Sequence, residues 1–236
     1  MGAMTAERER APLALIASGG GRYGDPWHPF DETSAALAML LEADGWRVII
    51  DSDVDHALTR LDDVQLLVVN AGDPSRNIPD SIQQPTAALV AAATASLARA
   101  IDRGMGILAT HTAVASLRDY PRWRASIGGV WRVGTSWHPP LALSSVHVRE
   151  SSHPISRGTT DFTLVDELYT DLEVDDNVCV LVDHSLDGVV HPLLWARETT
   201  GRAVVSAFGH DVRAYESTAV QHLVRRAARW ASRIDS

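Results

Sequence analysis

The chain contains no lysine: all 21 of its basic residues are arginine. Schiff-base catalysis, covalent attachment of pyridoxal phosphate and a Walker A phosphate loop are therefore excluded, because each requires a lysine amine. Cysteine is almost as scarce. Cys179 stands alone, which excludes an intramolecular disulfide and any multi-cysteine zinc site and makes the cytoplasm the default expectation. No apolar run reaches the length of a membrane span, and the opening MGAMTAERERAP lacks the apolar core of a signal peptide. No membrane partner is expected. None of the serines sits in a GxSxG elbow, which argues against a serine hydrolase of the α/β type. Excess positive charge is missing too. A net charge of −9 argues against a nucleic-acid surface, where a basic patch is expected.

What is present is an ordinary globular composition, 45% hydrophobic and 22% charged, over 236 residues. This suffices for one well-buried α/β domain over the whole chain, with residues 1–11 expected to be a disordered tail, in part left over from cloning. The first half alternates strands and helices. Pro12–Ser18 reads as a buried strand and is followed by Gly19-Gly20-Gly21. A helix with Asp31 as its N-cap ends near Gly45. Strands follow at Trp46–Ile50 and Val64–Asn70. After a loop containing Pro74, Pro79 and Pro85, Leu89, Ala93, Leu97 and Ile101 mark one face of a helix closed by Gly104. The fourth strand, Met105 to Ala109, runs into His111, with helix-forming residues directly behind it. Such alternation predicts right-handed crossovers and a doubly wound, mostly parallel sheet with helices on both faces.

The second half supplies strand patterns at Leu141–Val148, Phe162–Leu172 and Val178–Val182. A hairpin-like turn at Glu198-Thr-Thr-Gly201 and an amphipathic helix through Val220, Leu223, Val224, Ala227 and Trp230 complete it. No repeat, linker or domain boundary is visible.

In a doubly wound sheet, ligands bind beyond the carboxyl ends of the strands. His111 falls at such an end, and so does His210 in Phe208-Gly-His-Asp211. His28 lies in the loop after the first strand, in Trp27-His-Pro-Phe30. Trp137-His138 combines an indole with an imidazole, a pairing that suits a sugar ring. Asp166-Glu167-Leu-Tyr169 places adjacent acids in a strand-like run, where they point to opposite faces and only one enters a given pocket. The Gly19–Gly24 segment lacks the spacing of a dinucleotide fingerprint. His153 and His191, each before a proline, read as turn residues. Cys179 reads as a small buried hydrophobe and Trp123 as an exposed indole that would serve a homo-oligomer.

The order of these motifs resembles the trehalose-utilisation ThuA-like family. The pieces are the glycine-rich loop with His28-Pro29, Gly106-xxxx-His111, Gly128-Gly129, Trp137-His138 and His153-Pro-Ile-x-x-Gly158. Asp166-Glu-Leu-Tyr169 and Gly201-Arg followed by Gly209-His210-Asp211 complete the set. The resemblance runs from Pro12 to Trp230 and implies the flavodoxin-like sandwich of the class I glutamine amidotransferases. Those enzymes carry a cysteine at the elbow. Here His111 occupies it, and without a thiolate there no glutaminase activity is expected.

The family's association with sugar catabolism, beside a dehydrogenase that makes 3-keto-glycosides, implies a keto-sugar or keto-glycoside substrate. Its chemistry would be acid–base, either isomerisation or elimination. On that reading His111 and His210 transfer the proton and Glu167 assists, while His28, Trp137, His138, Tyr169 and Asp211 bind the sugar. The resemblance assigns no cofactor. His28, His111, His138, Glu167 and His210 are nevertheless suitable ligands for a divalent metal, although no HxxxH or HxH spacing demands one. The alternatives are a non-catalytic sugar-binding or regulatory module and a metal-dependent hydrolase.

Overall fold

The computed structural model describes residues 11–76, 81–149 and 152–234. The tail expected over residues 1–11 lies, apart from Ala11, outside the described residues, and so does Pro79.

Buried apolar runs form the central strands. β1 (Leu13–Ser18) is followed by α1 (Phe30–Ala43), β2 (Arg47–Asp51) and the single turn α2 (Val54–Ala57). Next come β3 (Leu66–Asn70), α3 (Ala87–Asp102) and β4 (Gly106–Thr110). The short α4 (Trp123–Ile127) leads into β5 (Gly129–Val130), β6 (Ala142–Val148), β7 (Phe162–Asp166) and β8 (Glu173–Val174). β9 (Cys179–Leu186), β10 (Val189–Glu198), β11 (Arg202–Ser206) and α5 (Thr218–Ala231) close the chain.

Nine strands make one sheet in the order β2-β1-β3-β4-β11-β10-β9-β6-β7. The first five run parallel, and the remaining four extend the sheet antiparallel. Every residue of β1, β3 and β4 is buried, as expected for strands covered on both faces. From β1 one crossover moves outward to β2, whereas β3 to β4 moves the other way. Right-handedness then places α1 and α3 on opposite faces. The reversal leaves a crevice beyond the carboxyl ends of β1 and β3, where ligands of such sheets bind.

Several sequence expectations are corrected. The first helix starts at Phe30 with Pro29 at the N-cap, because Asp31 is already helical. The strand expected to run to Leu172 stops at Asp166, whose carboxylate accepts the Glu167 N–H at 3.0 Å and so turns the chain out of the sheet. No full helix follows β4. His111–Val114 is a single 3-10 turn. His191 is a buried strand residue opposite His184, and its Nδ1 accepts the Asp171 N–H at 3.1 Å. Cys179, at the start of β9, is exposed. Trp123 is only 2% exposed and donates its indole N–H to Ala113 O at 3.0 Å, so it offers no surface to a second copy.

Candidate active site

Five segments bring their side chains to the carboxyl edge. The loop after β1 folds back through a 3-10 turn at Gly21–Tyr23. A Cβ at Gly19 would meet the Phe30 ring at 2.6 Å, so glycine there is required for this close return and not for cradling a phosphate. In that loop Asp25 accepts the Trp27 and His28 N–H groups at 3.0 and 2.9 Å. The same carboxylate lies 2.8 Å from His28 Nδ1 through each oxygen. The loop is thus wound around one carboxylate, and His28 Nε2 is turned away from it.

The second segment is the elbow. His111 has φ +41, a left-handed conformation that a residue with a Cβ adopts at a cost of about 1–2 kcal/mol. Its Nδ1 donates to Ala207 O at 2.9 Å, joining the ends of β4 and β11. Tyr169 stacks on its ring at a centroid distance of 4.2 Å. His111 is 1% exposed, and its Nε2 is buried with no hydrogen-bond partner. Burial and the neighbouring imidazoles of His28, His210 and His138 depress its pKa well below the ordinary histidine value, so the ring is neutral. With the proton on Nδ1, the Nε2 lone pair is bare.

The third segment carries His210. Asp166 lies beneath it, its Oδ2 accepting the Gly209 N–H at 2.8 Å and its Oδ1 the His210 N–H at 3.0 Å. Burial pushes the Asp166 carboxyl up to about 7 against those backbone donors. Gly209 has φ +112, and a Cβ there would stand 2.4 Å from the Tyr215 hydroxyl. His210 is therefore held in one place by its backbone. Burial lowers its pKa, with Glu167 opposing. Its Nδ1 lies 3.3 Å from Glu167 Oε2 without the alignment of a hydrogen bond.

Glu167 and Tyr169 form the fourth segment. Of the two adjacent acids only Glu167 reaches the pocket. Burial and the acids Asp166, Glu167 and Asp25 keep the Tyr169 hydroxyl protonated. The fifth segment brings Trp131 and His138, the latter with Nδ1 3.4 Å from Glu167 Oε2 and 3.1 Å from Pro139 O.

These segments enclose a cavity of about 350 Å³. Its lining includes Asp25, Trp27, His28, Trp131, His138, Glu167 and Tyr169. His111 and His210 stand behind this lining. Among the residues expected to bind a sugar, Trp137 and Asp211 are not brought in. Trp137 is 46% exposed and donates its indole N–H to Asp171, and the Asp211 carboxylate is held by Arg213. Trp27 and Trp131 supply the aromatic walls instead. Neither Asp25 nor Trp27 is singled out by the sequence motifs, although Asp25-Pro-Trp-His28 has the spacing of an aspartate that captures its own third amide.

A parallel sheet in this strand order, with a strained elbow at the end of β4 facing a histidine after β11, defines a class I glutamine amidotransferase-like α/β protein whose elbow carries an imidazole. Within that class the chain belongs to the ThuA family: the family model described as trehalose utilisation matches residues 14–231. Solved structures agree on the fold. A ThuA-like protein from Parabacteroides merdae superposes with a TM-score of 0.74 at 17% identity, covering 94% of this chain and 90% of the other. A counterpart from Bacteroides uniformis gives 0.71 at 17% identity, with 94% and 92% covered. A glutamine amidotransferase from Thermotoga maritima gives 0.55 at 8% identity, with 94% and 99% covered. No curated protein matches the chain in sequence.

Proposed function

We propose that this ThuA-family protein is an enzyme of carbohydrate catabolism that acts on a keto-sugar or keto-glycoside at the carbon next to the ketone. The observation that carries the reading is the convergence of His28, His111, Glu167 and His210 against a cavity walled by Trp27 and Trp131. The indoles suit the C–H faces of a pyranose ring, and the cavity size fits a sugar.

A ketone acidifies the neighbouring C–H. Removal of that proton sends the C–H electron pair onto the carbonyl oxygen, giving an enediolate. Transfer of the neighbouring hydroxyl proton to that oxygen, with reprotonation at the former carbonyl carbon, isomerises the sugar, and expulsion of a leaving group from the next carbon eliminates the aglycone. Either outcome needs a base and an electrophile at opposite ends of the reacting unit. Glu167 and His138 front the cavity, 3.4 Å apart, and are placed to exchange a proton with substrate. His111 and His210 lie one layer deeper and complete the charge arrangement behind them. Glutaminase chemistry is absent from this reading, since Cys179 is on β9 and the elbow has no thiol.

The location proposed is the cytoplasm, in keeping with a single cysteine and no disulfide. Among the described residues no helix is long and apolar enough to cross a membrane.

The experiment is turnover of a 3-keto-glycoside by wild type, Glu167→Gln and His138→Ala. Each variant is expected to lose at least about 100-fold in kcat/KM. Wild-type turnover by both would remove the reading, and tight binding of an unconverted sugar would replace it with a binding module.

A further inference from the structure

We infer that His28, His111, Glu167 and His210 form a binding site for one divalent transition-metal ion of the Zn²⁺ type. Each residue offers one ligand atom, and all four atoms lie within 4.8 Å of one another. Three nitrogens and one carboxylate oxygen are the donor set that suits a borderline divalent ion. At Zn–N distances of about 2.1 Å, tetrahedral ligands stand about 3.4 Å apart. A pair at the 4.8 Å limit therefore closes by about 1.4 Å, within reach of rotation at Glu167 and His28, which line the open cavity.

Three observations favour an ion over a merely packed cluster. First, His111 Nε2 and His210 Nδ1 are buried with no hydrogen-bond partner, an arrangement that is destabilising unless something else satisfies it. Second, His210 Nδ1 and Glu167 Oε2 approach to 3.3 Å without aligning for a hydrogen bond. Two such groups aimed past one another share a third partner more readily than a proton. Third, the outer nitrogens are already occupied. His28 Nδ1 is held by Asp25 at 2.8 Å and His111 Nδ1 by Ala207 O at 2.9 Å. A carboxylate or carbonyl behind each imidazole fixes its tautomer and turns the Nε2 lone pair inward, which is how proteins orient metal-binding histidines.

Of the five ligand types that the sequence offers, His28, His111, His138, Glu167 and His210, the geometry gathers four and leaves His138 outside, free for proton exchange with substrate. The site rests on this geometry and not on the keto-sugar reading, because ion binding is measurable without any substrate.

The test is calorimetric titration of tag-free, chelator-stripped protein with Zn²⁺ and with Mn²⁺, together with elemental analysis after desalting. One ion per chain is expected. His28→Ala, Glu167→Gln and His210→Ala should each weaken binding by about 100-fold or more, and Asp25→Asn by about 10- to 100-fold. His56→Ala, at an exposed histidine paired with Asp51, should leave binding unchanged. Two results would overturn the proposal. One is no stoichiometric uptake of either ion by folded wild type. The other is one-to-one uptake that survives the triple substitution of His28, Glu167 and His210, which would put the ion elsewhere. Uptake as expected with no turnover of keto-glycosides would uphold the metal site and sink the substrate assignment.

Discussion

Replacing Gly209 by alanine asks how much of the site depends on one backbone conformation. The glycine has φ +112, outside the region that a residue with a Cβ occupies comfortably, and holding alanine there costs about 1–3 kcal/mol. The added methyl would also meet the Tyr215 hydroxyl at 2.4 Å and its Cζ at 2.9 Å. Tyr215 is buried, so it has to move against packed neighbours, at about 1–3 kcal/mol more. Together these give about 2–6 kcal/mol. In a chain of this size that lowers the melting temperature by roughly 4–24 °C, at about 2–4 °C for each kcal/mol.

The strain falls between Asp166 and His210, so the His210 ring should shift and turnover should fall with stability. Gly209→Ala combined with Tyr215→Phe separates the two causes. It removes the 2.4 Å overlap but keeps the strained φ, and should recover part of the loss. The assay is thermal melting by circular dichroism alongside turnover. A single variant that melts with wild type and keeps full activity would refute the reasoning. A double variant no better than the single would show that backbone strain and the remaining 2.9 Å ring contact, and not the hydroxyl, set the cost.

Two further outcomes follow from other parts of the structure. Asp55 is buried beneath Arg22, Tyr23 and Tyr120, and accepts from them at 2.6–3.1 Å. Burial raises its pKa, but these donors outweigh burial and leave it below the ordinary carboxylate value. The resulting stability is complete above about pH 3.9, the unfolded value, and is lost as pH falls through the lower folded one. Asp55→Ala should cost about 3 kcal/mol at pH 7 by taking the bidentate partner from the buried Arg22 and leaving it only Asp119 as an acid, and its deficit against wild type in urea melts should shrink towards pH 3; a deficit that stays constant would contradict this. Trp131→Ala should raise KM about tenfold with a smaller change in kcat, since its indole packs edge-on to Tyr169 at 4.7 Å and walls the cavity without facing the reacting groups. An unchanged KM would remove Trp131 from the sugar site.

The sequence was most readable where periodicity dominated. Continuous apolar runs at Leu13–Ser18, Leu66–Asn70 and Gly106–Thr110 allowed one architecture, and the histidines ending two strand patterns pointed to the correct edge of the sheet. It was least readable where a side chain overrides the local pattern. Phe162–Leu172 looks like one strand, yet the Asp166 carboxylate gathers the amides of Glu167, Gly209 and His210 and ends it. That event depends on contacts across 44 residues and has no local signature. His28 is named from its place in the loop after the first strand, but only the folded loop shows Asp25 holding its Nδ1 within the cluster. Trp123 and Cys179 have the opposite burial to that which their local sequence implies, for a similar reason. A tryptophan on a short surface helix can still be swallowed by the elbow, and a cysteine at the start of a strand can be left in solvent.

The central claim is proton transfer at the carbon beside a ketone, and deuterium exchange measures it without waiting for a product. Wild-type protein would be incubated with a 3-keto-glycoside in D₂O and the sugar followed by proton NMR, with Glu167→Gln and a no-enzyme sample alongside. The account predicts loss of the signal from the proton next to the ketone, faster than in either control. No exchange above the controls, with the sugar nevertheless bound, would contradict it.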